Sequence, residues 1–545
     1  MRWPEKGKAW YNEISTLWVD CWLAQSFLYL TLSGHQPFRV RGLTPSLMES
    51  PMSKINAVSI RKLGSNRGCP RVWLQGRLPA SAGFHPQTRF ATIKDAERLR
   101  VTLRIDPFGD RIVSRKARDD AFEPVIDINS AEVLAMFAGL DHIRVLVRNG
   151  EITIESVESE KRTKERLERV QELMTSGAPI TIGSLSHGGG VLSRAIHEGL
   201  ARGGVNSTLD FALDIREDLL EHAGRVNPAW NDKTIHLAAP LQELAFDQEV
   251  MGALPHVTLL EAGLPCEASS VSGRAKNGTS CAEEHPLVGH LVVAFLAVVA
   301  RINPAMICLE NVPPYKSTAS MHILRNQLRD FGYEVHETMV HSGEWGTLEH
   351  RSRLCMIAVT KGMSFTFDDL VVPHVGAPTL GEILDPVPMD DTSWSTMDYL
   401  FAKAERDAAE GKGFAMQILT EDATKLGTIG KGYSKNRSTE PKLQHPHNPK
   451  LLRLLTKNEH ARAKGIPPAM AAGLSTTCAH ELLGQSITPA PFKAVAELLA
   501  KTLLNMKNGS INDVVISKVE AEEDKQVTLL KPITGIQELA QAMLF

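Results

Sequence analysis

From Pro179 onward the chain keeps a regular beat of apolar and polar positions. Short apolar runs at Pro179–Leu185, Ser207–Leu213 and Ala305–Leu309 read as strands. Between the first two, Val191, Leu192, Ala195, Ile196 and Leu200 fall on one helical face and predict an amphipathic helix. Another run (Val257, Leu259, Leu260) leads into Leu264-Pro265-Cys266 and predicts a strand ending at the cysteine. Pro286–Ile302, with LVVAFLAVVA at its centre, is too short to cross a bilayer and runs straight into Asn303-Pro304, so it predicts a helix buried against a sheet. A helix over Met321–Asp330 and strands over Glu334–Val340 and Leu354–Val359 complete the set. Strands alternating with helices predict an α/β fold built on a Rossmann-like sheet.

The pattern differs on either side of this block. Residues 52–155 read as a small β-rich module of hairpins: strands at Pro70–Leu74, Arg98–Ile105, His142–Val147 and Glu151–Glu155, with turns at Pro107–Asp110 and Asn149-Gly150. Residues 156–177 hold a charged stretch, Glu158–Met174, whose Leu167, Val170 and Leu173 predict a linker helix. The main domain is expected over 178–385 and again over 450–506, interrupted by 386–449, where acidic, Ala-rich helical sequence precedes the basic, Gly-rich KLGTIGKGYSKN. Residues 507–545 form a tail in which Gly535–Phe545 looks helical. Residues 1–51 are expected to be a poorly ordered leader or an upstream extension of the reading frame. Their apolar stretch Trp18–Leu32 is broken by Asp20 and Gln25, and no small-residue cleavage site follows it.

Composition adds limits. A chain of 545 residues implies two to four domains, and 43% hydrophobic with 23% charged residues is ordinary globular usage. A net charge of −3 means that any contact with nucleic acid must use local patches. Seven cysteines without paired spacing form neither a disulfide framework nor a zinc site and fit a reducing cytoplasm.

Chemistry gathers at the expected strand ends. The first strand opens into Ser186-His187-Gly188-Gly189-Gly190, a Gly-rich turn before a helix, and the second ends at Asp214, where an acid can bond ribose hydroxyls. Together they argue for a nucleoside-containing cofactor. Cys266 stands at the mouth of a small-residue loop carrying Arg274 and Lys276. Glu310 ends the fourth strand, and Glu349-His350-Arg351-Ser352-Arg353 precedes the last.

This ordered set resembles the cytosine-C5 methyltransferases. Pro265-Cys266-Glu267 stands for the family's Pro-Cys-Gln, Ser270-Val271-Ser272-Gly273 for its loop continuation, Glu310-Asn311-Val312 for Glu-Asn-Val, and Glu349 to Arg353 for Gln-x-Arg-x-Arg. Arg453-Leu454-Leu455-Thr456 with Glu459 and Gly465-Ile466-Pro467, then Gly484-Gln485-Ser486-Ile487, stand for its C-terminal elements. The resemblance implies a DNA (cytosine-5)-methyltransferase acting on double-stranded DNA with S-adenosylmethionine and no metal. Cys266 would attack C6 of a flipped-out cytosine, Glu310 would bond N3 and the exocyclic amine, and Arg351 and Arg353 would brace the base or the glutamate. Leu185, Ser186, Gly188, Gly190, Asp214, Ile215, Pro265, Gln485 and Ser486 would line the cofactor site. Ser270, Ser272, Arg274 and Lys276 of the loop, with Lys431, Tyr433 and Arg437 of a target-recognition region over 386–449, would meet DNA. A nucleoid-associated cytoplasmic enzyme is expected. The same fold kept as a non-catalytic DNA-binding regulator, or as an RNA cytosine methyltransferase, is the alternative.

The sequence also departs from the family. The cofactor turn lacks the aromatic residue that stacks on adenine and has His187 for Gly. The Gly-Asp-Ile element has its nearest match at Thr234-Ile235, with Asp232 just upstream. Gln485 replaces Asn, and both Glu267 and Glu349 replace Gln. An anionic Glu267 beside Cys266 would raise the thiol's pKa unless a cation neutralises it. The stretch Arg61 to Phe90 resembles the SymE-like, AbrB-type β modules. That likeness implies nucleic-acid binding through Arg61, Lys62, Arg67 and Arg71, and dimerisation.

Overall fold

The structure, a computed structural model, describes residues 54–66, 69–118, 121–137, 140–270, 273–274, 277–411 and 416–508. The expected leader and tail, together with Arg67, Ser272 and Lys276, lie outside the described residues.

The N-terminal part is β-rich, as its hairpin pattern predicts. Its strands are β1 (Ile55–Lys62), β2 (Gly64–Asn66), β3 (Cys69–Gln75), β4 (Arg89–Asp95), β5 (Arg100–Ile105), β6 (Arg111–Ile112), β7 (Ser114–Arg118), β8 (Ala121–Ile128), β9 (His142–Arg148) and β10 (Glu151–Ser156). They pair as a six-stranded sheet, β1-β9-β10-β5-β4-β6, and a four-stranded sheet, β2-β3-β8-β7. Gly150, at φ 75°, makes the β9–β10 turn. The sheets share a core around Leu74, Phe84, Leu103, Phe137, Val145 and Ile154. One chain supplies that core, so among the described residues nothing supports the expected dimerisation through this module. Arg71 pairs with Asp127 at 2.8 Å and lies over the Trp73 ring.

The helix Glu158–Ser176 is docked, not a free linker. Leu167, Val170 and Met174 join the main core. The buried Arg166 donates to Thr360 Oγ1, Asn303 Oδ1 and the carbonyls of Phe331 and Gly332, with its guanidinium 4.1 Å from the Tyr333 ring centre. A charged sequence concealed this, because one arginine of many is the buried one.

The main sheet contains β11 (Ile180–Leu185), β12 (Ser207–Asp214), β13 (Ile235–Ala238), β14 (Leu259–Gly263), β15 (Met306–Asn311), β16 (Tyr333–His341) and β17 (Ser352–Thr360). Their order is β13-β12-β11-β14-β15-β17-β16; β11 to β15 run parallel, while β17 is antiparallel to both neighbours. Strands β11, β14, β15 and β17 are almost wholly buried because helices cover both faces. One face packs on helices Val191–Arg202 and Pro489–Asn508, the other on Leu291–Ile302 and Ala319–Asp330. The apolar helix predicted from Pro286 starts at Leu291 and is buried against the sheet, as expected. A smaller sheet, β18 (Gln417–Leu419), β19 (Pro441–His445) and β20 (Asn448–Arg453), lies within the interrupting region and its junction with the returning domain. No helix among the described residues is long and apolar enough to cross a membrane.

Candidate active site at the sheet edge

Parallel pairing puts the C-terminal ends of β11, β12, β14 and β15 on one edge, where ligands bind in such sheets. Strand β14 stops at Gly263, so Cys266 stands on the turn that follows rather than at the strand end. Its carbonyl accepts from the Ser269 and Ser270 amides. Gly263 is in register with Glu310, and Asn311 Nδ2 donates to the Leu264 carbonyl at 3.2 Å, tying the cysteine turn to the end of β15.

Glu310 meets Arg353, Nε to Oε1, at 2.7 Å in a nearly enclosed setting. Burial pushes the Glu310 carboxyl above its ordinary range, against the pull of Arg353 and Arg351. Burial also raises the Cys266 thiol; Glu310 adds to this and Arg353 and Arg351 oppose it. The thiol thus lies within electrostatic reach of the acid and both arginines, and the group at rest is a thiol rather than a thiolate.

The two arginines divide their roles. Arg353 holds the glutamate, as expected. Arg351 does not brace a base: it is 3% exposed, and its guanidinium donates to the carbonyls of Ser486, Ile429 and Gly484 at 2.6, 2.9 and 2.8 Å. All those bonds are spent inside the fold. Glu349 is also fully buried, with Oε1 accepting from the Ile429 amide and 3.3 Å from Arg351 Nε, and Oε2 3.1 Å from Lys464 Nζ. These cations hold Glu349 below its ordinary value despite burial, while burial brings Lys464 down to about 7. Sequence reasoning passed over Lys464, whose only sign was a charge just before Gly465-Ile466-Pro467.

The turn after β11 suits a nucleoside cofactor. Ser186, Gly188 and Gly190 have φ of 54°, 55° and 73°, and a Cβ at Gly188 would enter open space. Asp214 Oδ2 accepts from the Gly188 amide at 2.7 Å and Oδ1 from the Arg216 amide at 2.9 Å, so the acid shapes the turn and keeps lone pairs for a ligand. Ile215 is exposed, as are Pro265 and Gln485. Two expected residues are placed differently. Leu185 is buried and offers only its main chain, and the Ser486 hydroxyl donates to the Leu482 carbonyl. Asp232 precedes β13 and so lies toward the opposite edge of the sheet; Ala239-Pro240 follows β13 at the ligand edge. His187 is buried and wired in. Trp230 Nε1 donates to its Nε2 at 3.0 Å, which leaves the proton on Nδ1 to donate to Ser184 Oγ at 2.7 Å. Burial lowers His187 to about 3, so the ring is neutral. Beside Ser184, in register on β14, lies Glu261, 2% exposed, with Oε1 unpartnered and its carboxyl pushed by burial to about 8. An acid inside an apolar strand was the signal for it.

The expected DNA contacts divide as well. Tyr433 is fully buried, donating to the Pro441 carbonyl and accepting from the Leu455 amide, so it belongs to the core of the region and not to a DNA-facing surface. Ser270 Oγ accepts from the Gly273 amide, capping the loop. Arg437 is exposed, Arg274 is half-buried, and exposed Lys431 pairs with Glu267.

The family model for C-5 cytosine-specific DNA methylase matches residues 233–501. The chain is 26% identical over 263 residues to the type II methyltransferase M1.ScrFI of Lactococcus lactis subsp. cremoris, covering 47% of this chain and 65% of the relative. It is 26% identical over 262 residues to the type II methyltransferase M.SsoII of Shigella sonnei, covering 46% of this chain and 65% of the relative. The chain therefore spans less than two thirds of the length of these relatives. A solved structure of the Dnmt2 methyltransferase of S. pombe aligns with a TM-score of 0.46 and 17% identity, over 60% of this chain and 99% of that one.

Proposed function

We propose that this chain, whose residues 233–501 match the model for C-5 cytosine-specific DNA methylase, methylates C5 of cytosine in double-stranded DNA. The observation that carries the reading is a cysteine on the turn after β14, tied through the Asn311–Leu264 hydrogen bond to the end of β15, where Arg353 holds Glu310 at 2.7 Å and burial biases that carboxyl toward its protonated form.

The base must leave the helix to reach this edge, at a cost of a few kcal/mol. Cys266 Sγ, losing its proton, adds to C6 of the ring and makes C5 nucleophilic. Glu310 donates from its carboxyl to N3 and accepts from the exocyclic amine, steadying charge as the sulfur adds. Arg353 fixes the glutamate's orientation. Once C5 carries the methyl group, its proton passes to solvent and the Cys266–C6 bond breaks, restoring the ring and returning the thiolate. S-adenosylmethionine, when bound, supplies the methyl group. The main chain at Ser186 and Gly188, with Asp214, Ile215, Pro265 and Gln485, would hold it.

The test is transfer of labelled methyl from S-adenosylmethionine to a diverse DNA pool. Wild type is expected to label DNA and Cys266→Ala to lose all transfer. A folded, cofactor-binding wild type that labels nothing counts against the reading, and transfer to RNA alone would favour the RNA alternative.

A further inference from the structure

The segment Leu426–Lys431 of the interrupting region runs back into the active site. The Leu426 amide donates to the Leu348 carbonyl and the Leu426 carbonyl accepts from the His350 amide, Ile429 is gripped at both its amide (Glu349) and its carbonyl (Arg351), and the Gly430 amide donates to Glu440 Oε1. A Cβ on Gly484 would stand 2.4–2.5 Å from the Gly430 carbonyl and the Lys431 nitrogen, so the segment lies flush against the helix end that carries Gln485. The backbone of Lys431 is thus fixed by a buried charge cluster and by close packing. Its ammonium pairs with Glu267, the residue next to Cys266 in sequence.

We propose that Lys431 is a positioning residue for the nucleophile: mounted on this locked segment, it holds the Glu267 side chain and keeps a bare carboxylate away from the Cys266 thiol. The inference rests on Cys266 being the nucleophile of the proposed reaction. The charged groups that act on that thiol are Glu310 on β15, Arg353 on β17 and Arg351 just before it; Glu267, held by Lys431, is its neighbour in sequence. Glu310 already opposes thiolate formation, and a second unpaired carboxylate would add to it. The Lys431 pair cancels that addition, and because Lys431 belongs to the interrupting region, cysteine reactivity depends on that segment staying docked.

The test reads Cys266 directly and needs no methyl transfer. Iodoacetamide alkylation of the Cys266 peptide is followed by mass spectrometry from pH 6.5 to 9.5 in the DNA-free full chain. Both side chains of the pair are half-exposed, so the variants are expected to fold. Lys431→Met is expected to slow alkylation at pH 7.5 about three- to tenfold and displace the profile to higher pH, the effect of a rise of about half to one unit in the thiol's pKa. Lys431→Arg is expected to stay within about twofold of wild type, and Lys431→Met combined with Glu267→Gln to return to it. A Lys431→Met profile that overlays wild type, or a double variant that stays slow, overturns the proposal while leaving the methyl-transfer reading to its own assay.

Discussion

Glu261 sits in the middle of β14, buried and in register with Ser184 of β11. Replacing it with Gln keeps the shape and removes the charge. An unfolded glutamate titrates at 4.5 and this one at about 8, a gap of about three and a half pH units. At 1.36 kcal/mol per unit the full linkage is about 5 kcal/mol; relaxation and water entry around buried charges reduce it to roughly 2–3 kcal/mol. The sign follows from which state holds the proton more tightly. The folded state does, so this group's stabilising contribution is complete below pH 4.5 and is lost as pH rises to about 8. Glu261→Gln should therefore melt close to wild type at pH 5 and about 5–10 °C higher at pH 8.5, on the usual scale for domains of about 200 residues. Circular dichroism melts at the two pH values read this. A difference in midpoint that is the same at both pH values, or that favours wild type at pH 8.5, refutes the reasoning.

Other outcomes follow from the same geometry. Glu310→Gln cannot be a carboxylic donor to N3 and is expected to cut methyl transfer by about a hundredfold or more in kcat, with little change in DNA binding in a filter or gel assay. Arg353→Ala frees the glutamate and is expected to cost about 10–100-fold, read in kcat with S-adenosylmethionine affinity unchanged by calorimetry. Arg351→Met acts differently. It strips three carbonyls and Glu349 of a buried cation, so it should cost about 3–5 kcal/mol of stability and lower soluble yield, seen by urea titration. Because burial and Glu310 raise the Cys266 thiol, single-turnover methyl transfer should climb with pH to beyond the ordinary thiol range near 8.5; a half-maximum below pH 8 would count against that.

Much of the fold and half of the site were legible in the sequence, for identifiable reasons. Apolar runs ending in Asp214, Cys266 and Glu310 set out the sheet edge, because chemistry at the ends of parallel strands is local in sequence. What was hidden is pairwise and distant. Glu349 read only as a replacement for Gln, and nothing near it in sequence announced Lys464, which with Arg351 holds its carboxylate. Glu267 looked like a liability until Lys431 stood beside it. Tyr433 sat among lysines and glycines and read as a surface aromatic, yet its hydroxyl joins two distant main-chain groups in a core. The cofactor turn departs from the family in the residues that would signal adenine, and the family match begins only at residue 233. That turn instead carries a hydrogen-bonded chain from Trp230 through His187 to Ser184, which no local pattern announces.

The central claim is a transient bond between Cys266 and a pyrimidine. DNA duplexes bearing 5-fluorocytosine, incubated with the protein and S-adenosylmethionine, test it most directly, since fluorine at C5 cannot leave as a proton does. The account predicts a denaturant-stable protein–DNA adduct whose digestion places the pyrimidine on the Cys266 peptide, absent in Cys266→Ala. A folded protein that binds DNA and cofactor but forms no adduct, or an adduct on another cysteine, contradicts it.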